Sequence, residues 1–138
     1  MRTLCLIVAV LAFGCSTSYR PVQEASFDRM IDVGCKSKSD RFSLTAQVNS
    51  ASRDTIVLWD GRDGSRTLAI RLPDQGIGSR TRGVFGKSRY ELGVERLEEL
   101  RQRGTPVTFA MRCEGEEMAP VADRFSYEEN GQRVEFEF

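Results

Sequence analysis

The sequence predicts a small, mostly β domain made of antiparallel strands, with one short helix and a C-terminal hairpin. Three observations support this fold class: several segments alternate apolar and polar residues, one segment has helical spacing of its apolar residues, and an Asn-Gly pair separates two alternating segments. Alternation with a period of two is typical of strands with one buried and one wet face. A chain of 138 residues has room for one domain of ordinary size.

Three strands are predicted in the first half of the domain. Four apolar residues alternate with polar ones over about 41–49, which predicts the first strand. The run 55–59 is apolar on both faces and predicts an interior strand, with Trp59 as a core residue. Residues 67–72 alternate again and predict a third strand, which Pro73 ends.

Only one helix is predicted, over residues 93–104. Val94, Leu97 and Leu100 share one stripe of this segment. Gly104 suits the position after the last helical residue, since it tolerates the left-handed backbone found there. The helix is therefore expected to span three turns at most.

The rest of the domain predicts a fourth strand and a hairpin. Residues 107–113 alternate, residues 114–120 are polar, and Asn130-Gly131 is typical of a two-residue hairpin turn. With that turn, Tyr127 lies opposite Val134 and Phe125 opposite Phe136. One face of the hairpin is then apolar, and Arg133, Glu135 and Glu137 face water.

This order of elements, β-β-β-α-β-β, resembles the OB-fold, a small Greek-key barrel with its helix between the third and fourth strands. The segment that carries the resemblance runs from Arg41 to Tyr127. The resemblance lies in the order of the elements and implies a small antiparallel β-barrel whose rim loops carry binding. A plain antiparallel sandwich and a different barrel fit the same pattern.

The amino terminus has the layout of a secretory signal. Met1-Arg2-Thr3 is a short positive start, and residues 4–13 form an apolar run that is too short to span a membrane. The run ends Leu11-Ala12-Phe13-Gly14-Cys15, which resembles the lipobox of bacterial lipoproteins. An ordinary secretory signal with an incidental Cys15 is the alternative.

The lipobox resemblance implies cleavage after Gly14, a diacylglycerol on the Cys15 thiol and a further acyl chain on the new amino group. Two or more acyl chains anchor a protein stably. The expected organisation is a lipoprotein signal peptide over 1–14, a lipid-anchored tether over 15–27 and a single domain over 28–138. Ser16 follows the cysteine, which by the family's sorting habit favours the outer membrane, facing the periplasm.

Two further cysteines, Cys35 and Cys113, lie in the predicted domain. A pair of cysteines in an oxidising compartment suggests a disulfide. A bond across so long a loop contributes about 4 to 5 kcal/mol in the chain-entropy model. Two buried free thiols are the alternative.

Composition excludes several classes of function. The sequence has no histidine, so the commonest general base and the commonest zinc ligand are missing. Twenty basic and twenty acidic side chains give a formal charge of zero, so no strong field indicates nucleic acid. We therefore expect a non-enzymatic binding or scaffolding module without a cofactor or metal. An envelope enzyme that uses carboxylates or lysine is the rival class.

The candidate ligand-binding segment is the Gly-rich stretch 78–90, which has four basic residues, two aromatics and no acid: Arg80, Arg82, Phe85, Lys87, Arg89 and Tyr90. Guanidinium groups suit carboxylate and phosphate, and aromatic rings stack on sugars. Outside the cytoplasm, the expected partners are peptidoglycan, lipopolysaccharide or an acidic envelope protein. A solvated loop that balances the acidic segment 114–138 is the alternative.

A second resemblance concerns the end of this stretch. Lys87-Ser88-Arg89-Tyr90 is similar to the inhibitory loop of membrane-bound lysozyme inhibitors, small β-barrel lipoproteins with a disulfide, with Ser88 and Tyr90 at the matching positions. That family's Trp-Lys-Gly segment has no counterpart here. The resemblance implies inhibition of lysozyme as an alternative function.

Overall fold

The computed structural model describes residues 23–61, 66–73 and 88–138. Within them lie seven strands and two helices. They are, in chain order, β1 (Gln23–Glu24), α1 (Phe27–Asp32), β2 (Arg41–Ala51), β3 (Thr55–Trp59), β4 (Thr67–Arg71), α2 (Arg89–Arg103), β5 (Val107–Glu114), β6 (Ala119–Glu129) and β7 (Gln132–Glu137). The predicted mostly β fold class is confirmed.

All the described strands join one sheet. β2 pairs in antiparallel fashion with β3 and with β5, β3 pairs with β4, and β6 pairs with β5 and β7. β4 and β6 run parallel and meet at Arg71 and Val121. The short β1 runs parallel to the start of β2, where Gln23 lies beside Phe42. β2 is thus a central strand with neighbours on both sides.

The core lies on the inner face of this sheet. Its largest fully buried side chains are Phe109, Phe125, Leu44, Ile56, Leu58, Ile70, Leu97, Leu100 and Val107. Burying a large apolar side chain stabilises a fold by about 1.5–3 kcal/mol, so this face supplies most of the driving force. Leu97 and Leu100 belong to α2, whose predicted stripe therefore packs on the sheet.

α2 begins four residues before the predicted helix. The Ser88 hydroxyl caps it by accepting a hydrogen bond from the Glu91 backbone N–H at 3.2 Å. Ser88 and Glu91 stand three residues apart, as in a capping box, and this signal marks the true start. Gly104 ends the helix with a left-handed φ of 65°, as predicted.

The prediction of a single helix was wrong, because Phe27–Asp32 forms α1. The Ser26 hydroxyl caps it by accepting from the Arg29 N–H, and Phe27 and Met30 pack into the core. The residues just before α1 also belong to the domain. The Ala25 N–H donates to the Ser43 carbonyl at 2.9 Å, so residues 23–27, which were assigned to the tether, pack against the sheet.

Trp59 lies on the outer face of the sheet, so its assignment to the core was wrong. Ile56 and Leu58 are 0% exposed and point inward, and Trp59 alternates with them. It is half-buried. The apolar run 55–59 predicted a strand buried on both faces, but β3 has one core face and one outer face.

The hairpin and the disulfide are both present as predicted. Tyr127 lies opposite Val134 and Phe125 opposite Phe136. Asn130 and Gly131 have φ values of 52° and 76°, the left-handed conformation that the tight turn requires. Cys35 and Cys113 form a disulfide with Cα atoms 5.8 Å apart, which ties the segment after α1 to β5.

Neither described helix is long and apolar enough to cross a membrane. α2, the longer of the two, has 15 residues and several charges.

Candidate functional site

The segment 78–90 is only partly covered by the described residues. Arg80, Arg82, Phe85 and Lys87 lie outside them. Arg89 and Tyr90 are described, and they occupy the first turn of α2 instead of a loop.

Arg89 is engaged within the domain. Its Nε–H donates to the Glu137 carbonyl at 2.6 Å, and its guanidinium lies 5.6 Å from the centroid of the Phe136 ring. The first contact satisfies a backbone acceptor on β7, and the second is a cation–π contact. Arg89 therefore holds the start of α2 against β7.

Tyr90 belongs to an aromatic cluster beneath α2. Its ring centroid lies 5.9 Å from that of Phe138, which also contacts Phe125 and Phe136. Burial, followed by the negative charge of Asp54, raises the pKa of Tyr90 to about 12, although Arg53 opposes the shift. The phenol is thus neutral over the physiological range and serves packing. Ser88, the other residue matched to the lysozyme inhibitors, is occupied as the cap of α2.

An open depression of about 600 Å³ lies along β2, β5 and β6. We call it the arginine cleft and define it by its charged lining residues, Arg41, Arg112, Asp123, Arg124 and Glu137, around Ala110. Pro73 and Phe138 also contribute to its wall, as do the core residues Phe42 and Met111.

Strand register brings the three arginines together. Arg41 on β2 lies opposite Arg112 on β5, and Ala110, two residues before Arg112, lies opposite Arg124 on β6. All three are at outward positions of their strands. Since Ala110 has only a methyl group, space remains between the longer side chains.

An irregularity in β6 positions the acid of the cleft. The register between β5 and β6 shifts at Ala110 and Met111, which leaves Asp123 as an extra residue opposite them. Such bulges change the direction of nearby side chains and are frequent near functional sites. Asp123 here forms an ion pair with Arg112.

Arg112 is neutralised within the molecule. Besides Asp123, it contacts Glu114, with 3.1 Å between Nη2 and Oε2. Burial lowers the pKa of Arg112, but the charge of Asp123 and the contacts with Glu114 outweigh this and raise it. The guanidinium is thus held in place and stays charged.

Arg41 and Arg124 differ from Arg112, because neither forms an ion pair within 4 Å with a carboxylate among the described residues. Six other arginines of the described ranges do form such pairs, namely Arg53, Arg66, Arg96, Arg101, Arg103 and Arg133, whereas Arg29, Arg71 and Arg89 do not. Three arginines against Asp123 and Glu137 leave the cleft lining with one positive charge. This arrangement suits a ligand with one negative charge.

A smaller depression of about 160 Å³ adjoins the cleft. Three hydroxyl side chains line it, those of Ser43, Thr108 and Ser126, and we call them the hydroxyl shelf. The depression shares Ala110 and Arg124 with the arginine cleft, and Arg133 and Glu135 border it. Together the two depressions present positive charge beside neutral hydrogen-bonding groups.

Sequence reasoning missed both depressions. Arg41 and Arg124 stand at polar positions of alternating strands, where charged side chains are usually only solvated. Their proximity depends on the pairing of β5 with both β2 and β6, which no local pattern encodes. Within the described ranges, no group of three or more cysteine or carboxylate side chains is arranged to hold a metal.

Comparisons of the chain with protein-family models, with curated proteins and with solved structures find no match.

Proposed function

We propose that this chain is a bacterial lipoprotein whose domain is a non-enzymatic binding module for an anionic ligand of the cell envelope. The observation that carries the proposal is the arginine cleft, in which Arg41 and Arg124 face an open depression and form no ion pair within 4 Å with a carboxylate among the described residues. Guanidinium groups bind carboxylate and phosphate with two parallel hydrogen bonds, so a single anionic group fits between them.

The anchor in this proposal is Cys15, lipidated after cleavage of residues 1–14. Its support is the lipobox resemblance of the segment that ends at Cys15. Seven residues separate Cys15 from Gln23, and a fully extended chain over the eight Cα–Cα steps between them reaches about 28 Å. Since Gln23 lies beside Phe42, one residue from Arg41, the tether enters the domain next to the arginine cleft. The cleft then stays close to the membrane.

For the fold, we propose an OB-like barrel. The pairings β2–β3, β3–β4, β4–β6, β6–β5 and β5–β2 lead back to the starting strand, which supports closure. α2 lies between the third and fourth strands of this ring, as it does in the OB-fold. β1 and β7 are then additions to the ring.

The partners that fit this proposal are peptidoglycan, lipopolysaccharide or an acidic envelope protein, because each carries carboxylates or phosphates. The basic residues Arg80, Arg82 and Lys87 remain a second proposed contact with the same ligand. Arginine is too weak an acid for proton transfer at neutral pH, which favours a binding role for the cleft over catalysis.

The anchor is tested by metabolic labelling with a radioactive fatty acid. We expect the native chain to take up label and Cys15→Ser to accumulate as an unlabelled, uncleaved precursor. Cys5→Ser, which changes a cysteine inside the signal, is the control and keeps its label. Normal labelling of Cys15→Ser would contradict the lipid assignment.

The binding role is tested with the mature protein in mild detergent, by co-sedimentation with peptidoglycan and with lipopolysaccharide at low and high salt. We expect salt-sensitive binding that the double change Arg41→Gln and Arg124→Gln reduces at least about tenfold. The matched control, Arg96→Gln with Arg101→Gln, removes the same charge from α2 and keeps its binding. Equal losses in both double variants would mean unspecific charge attraction and would refute a role for the cleft.

A further inference from the structure

We infer that the arginine cleft and the hydroxyl shelf form one site, which binds a single negative charge carried on a polyol, either a sugar ring or a glycerol unit. The inference rests on the proposed function, because it names the chemistry of the ligand that the same cleft binds. Its independent observation is the hydroxyl shelf, which a simple anion does not require.

The two depressions are lined by neighbouring rows of residues on the same face of the sheet. Ser43, Ala110 and Arg124 form one row across β2, β5 and β6, and Thr45, Thr108 and Ser126 form the next. Neighbouring rows on one face of a sheet are two residues apart, which is about 7 Å. That is close to the width of a sugar ring. A ligand with its anionic group near Arg124 therefore places its hydroxyl groups over Thr108 and Ser126.

The charged end of the site accepts one negative charge. Arg41 lies directly opposite Arg112, whose charge Asp123 and Glu114 already balance. Arg41 itself has no ion pair among the described residues, so its charge is available to a ligand anion. Carboxylates border the row of Ser43, Ala110 and Arg124, with Glu24 beside Ser43 and Glu137 beside Arg124. They disfavour a ligand with several negative charges.

The hydroxyl end matches groups that both donate and accept hydrogen bonds. The Thr108 hydroxyl lies 2.8 Å from the Thr45 hydroxyl and keeps further bonding capacity. The Ser126 hydroxyl accepts from Arg133 Nη2 at 3.3 Å, so its own hydrogen is left to donate. Ser126 is only 7% exposed, which makes it a selective contact for a group that enters the depression.

Two sources present this chemistry at a bacterial envelope. One is the headgroup of an anionic glycerophospholipid, and the other is an acidic sugar of an envelope polymer. Their shared feature is one phosphate or carboxylate next to hydroxyl groups. The entry of the tether beside Arg41 places the site within reach of either source.

The first experiment uses soluble probes and the mature protein in detergent, with binding followed by calorimetry. We expect glycerol phosphate and glucuronate to bind about tenfold more tightly than inorganic phosphate and acetate at about pH 5.5, where each probe carries mainly one negative charge. The double change Thr108→Val and Ser126→Ala should abolish that preference and leave phosphate binding unchanged. Thr67→Val, at an exposed position of β4, is the control and keeps the preference.

The second experiment separates the two sources with vesicles of phosphatidylglycerol and of phosphatidylcholine. Binding of phosphatidylglycerol vesicles that glycerol phosphate displaces, and glucuronate does not, assigns the site to the lipid headgroup. Displacement by glucuronate alone assigns it to an acidic sugar.

The outcomes also separate this inference from the proposed function. If phosphate and acetate bind through Arg41 and Arg124 as tightly as the polyol probes do, the polyol assignment is wrong and the anion-binding cleft stands. If no anion binds, and the double arginine variant also sediments with peptidoglycan and lipopolysaccharide like the native protein, both are wrong.

Discussion

The two faces of β5 and β6 use their side chains in opposite ways. On the inner face, Phe109 and Phe125 are at most 1% exposed, and Cys113 is bonded to Cys35. On the outer face, Arg112 is paired, whereas Arg124 has no ion pair among the described residues. The same two strands therefore have a face that is saturated with internal contacts and a face with unused binding capacity.

The same difference separates charged residues that the fold uses from charged residues that remain available to a ligand. Arg89 and Tyr90 stand in the most basic segment of the sequence, yet both are engaged beneath α2 by Glu137, Phe136 and Phe138. Arg41 and Arg124 stand at ordinary polar positions of the sequence. In the folded domain neither forms an ion pair with a described carboxylate, so both can bind a ligand. We expect changes on the inner face to alter the free energy of unfolding and changes on the outer face to alter ligand binding.

The largest effect is expected from the disulfide on the inner face. Its partners are separated by 78 residues, and the chain-entropy model gives about 4.5 kcal/mol for closing such a loop. Replacing both cysteines by alanine should lower the free energy of unfolding by about that amount, measured by urea denaturation. Binding by the folded variant should be unchanged, because the arginine cleft is on the other face.

The control for the disulfide is chemical. A reducing agent should destabilise the native protein to the level of the double alanine variant and leave that variant itself unaffected. Equal stability of the oxidised and reduced native protein would show that packing alone holds the inner face together.

The next largest effect is expected at Gly93 in α2. A Cβ atom there would lie 2.6 Å from Cε1 of both Phe136 and Phe138, so only glycine allows this approach. Overpacking of a core costs about 1–3 kcal/mol, and Gly93→Val should lower the free energy of unfolding by roughly 2 kcal/mol. Leu92→Val is the matched control, since Leu92 is 47% exposed and should show only the small helix-propensity penalty. Similar values for both variants would contradict close packing at this point.

Much of the fold follows from local patterns. The strands at 41–51, 55–59, 67–71 and 107–114 were predicted to within about two residues, because alternation survives wherever a strand has one wet face. The register of the C-terminal hairpin also follows from the sequence, because a two-residue Asn-Gly turn fixes every pair.

The misplaced elements have identifiable physical reasons. α1 was missed because it is only six residues long, and the alternation of Ile31, Val33 and Cys35 resembles a strand. The predicted start of α2 was late because the basic, Gly-rich stretch before Gly93 has no apolar periodicity, although Ser88 and Glu91 form a capping pair at the true start. The cleft was missed because its residues are far apart in sequence, and only the pairing between strands joins them.

A smaller effect on the free energy of unfolding, which depends on pH, is expected from Tyr90 on the inner face. Burial and the charge of Asp54 raise its pKa to about 12, above the ordinary value of 10.0. A neutral group whose pKa rises on folding favours the folded state below its ordinary pKa, and that contribution is lost as the pH rises from about 10 to about 12. Stability should therefore fall over this range and fall less in Tyr90→Phe. An ultraviolet titration that ionises Tyr90 near its ordinary pKa would contradict its burial.

The smallest effect on stability is expected at Arg41, and this variant separates the roles of the two faces most directly. Arg41 opposes Arg112 across the pair β2–β5, but Asp123 and Glu114 already balance the charge of Arg112, so little repulsion is left between the two arginines. Arg41→Gln should thus leave the free energy of unfolding nearly unchanged while it weakens binding of anionic probes. Arg133→Gln is the comparison, because it removes the partner of Glu135 and should lower stability by a few tenths of a kcal/mol.

Unchanged stability with weakened binding in Arg41→Gln would show that this arginine serves a ligand and is not needed by the fold. A loss of stability in the same variant would instead mean that Arg41 supports the sheet, and the outer face would then resemble the inner one. Salt gives a second comparison. Because screening weakens attraction between exposed charges, binding by the native protein should fall as ionic strength rises, whereas the stability difference between Arg41→Gln and the native protein should stay near zero.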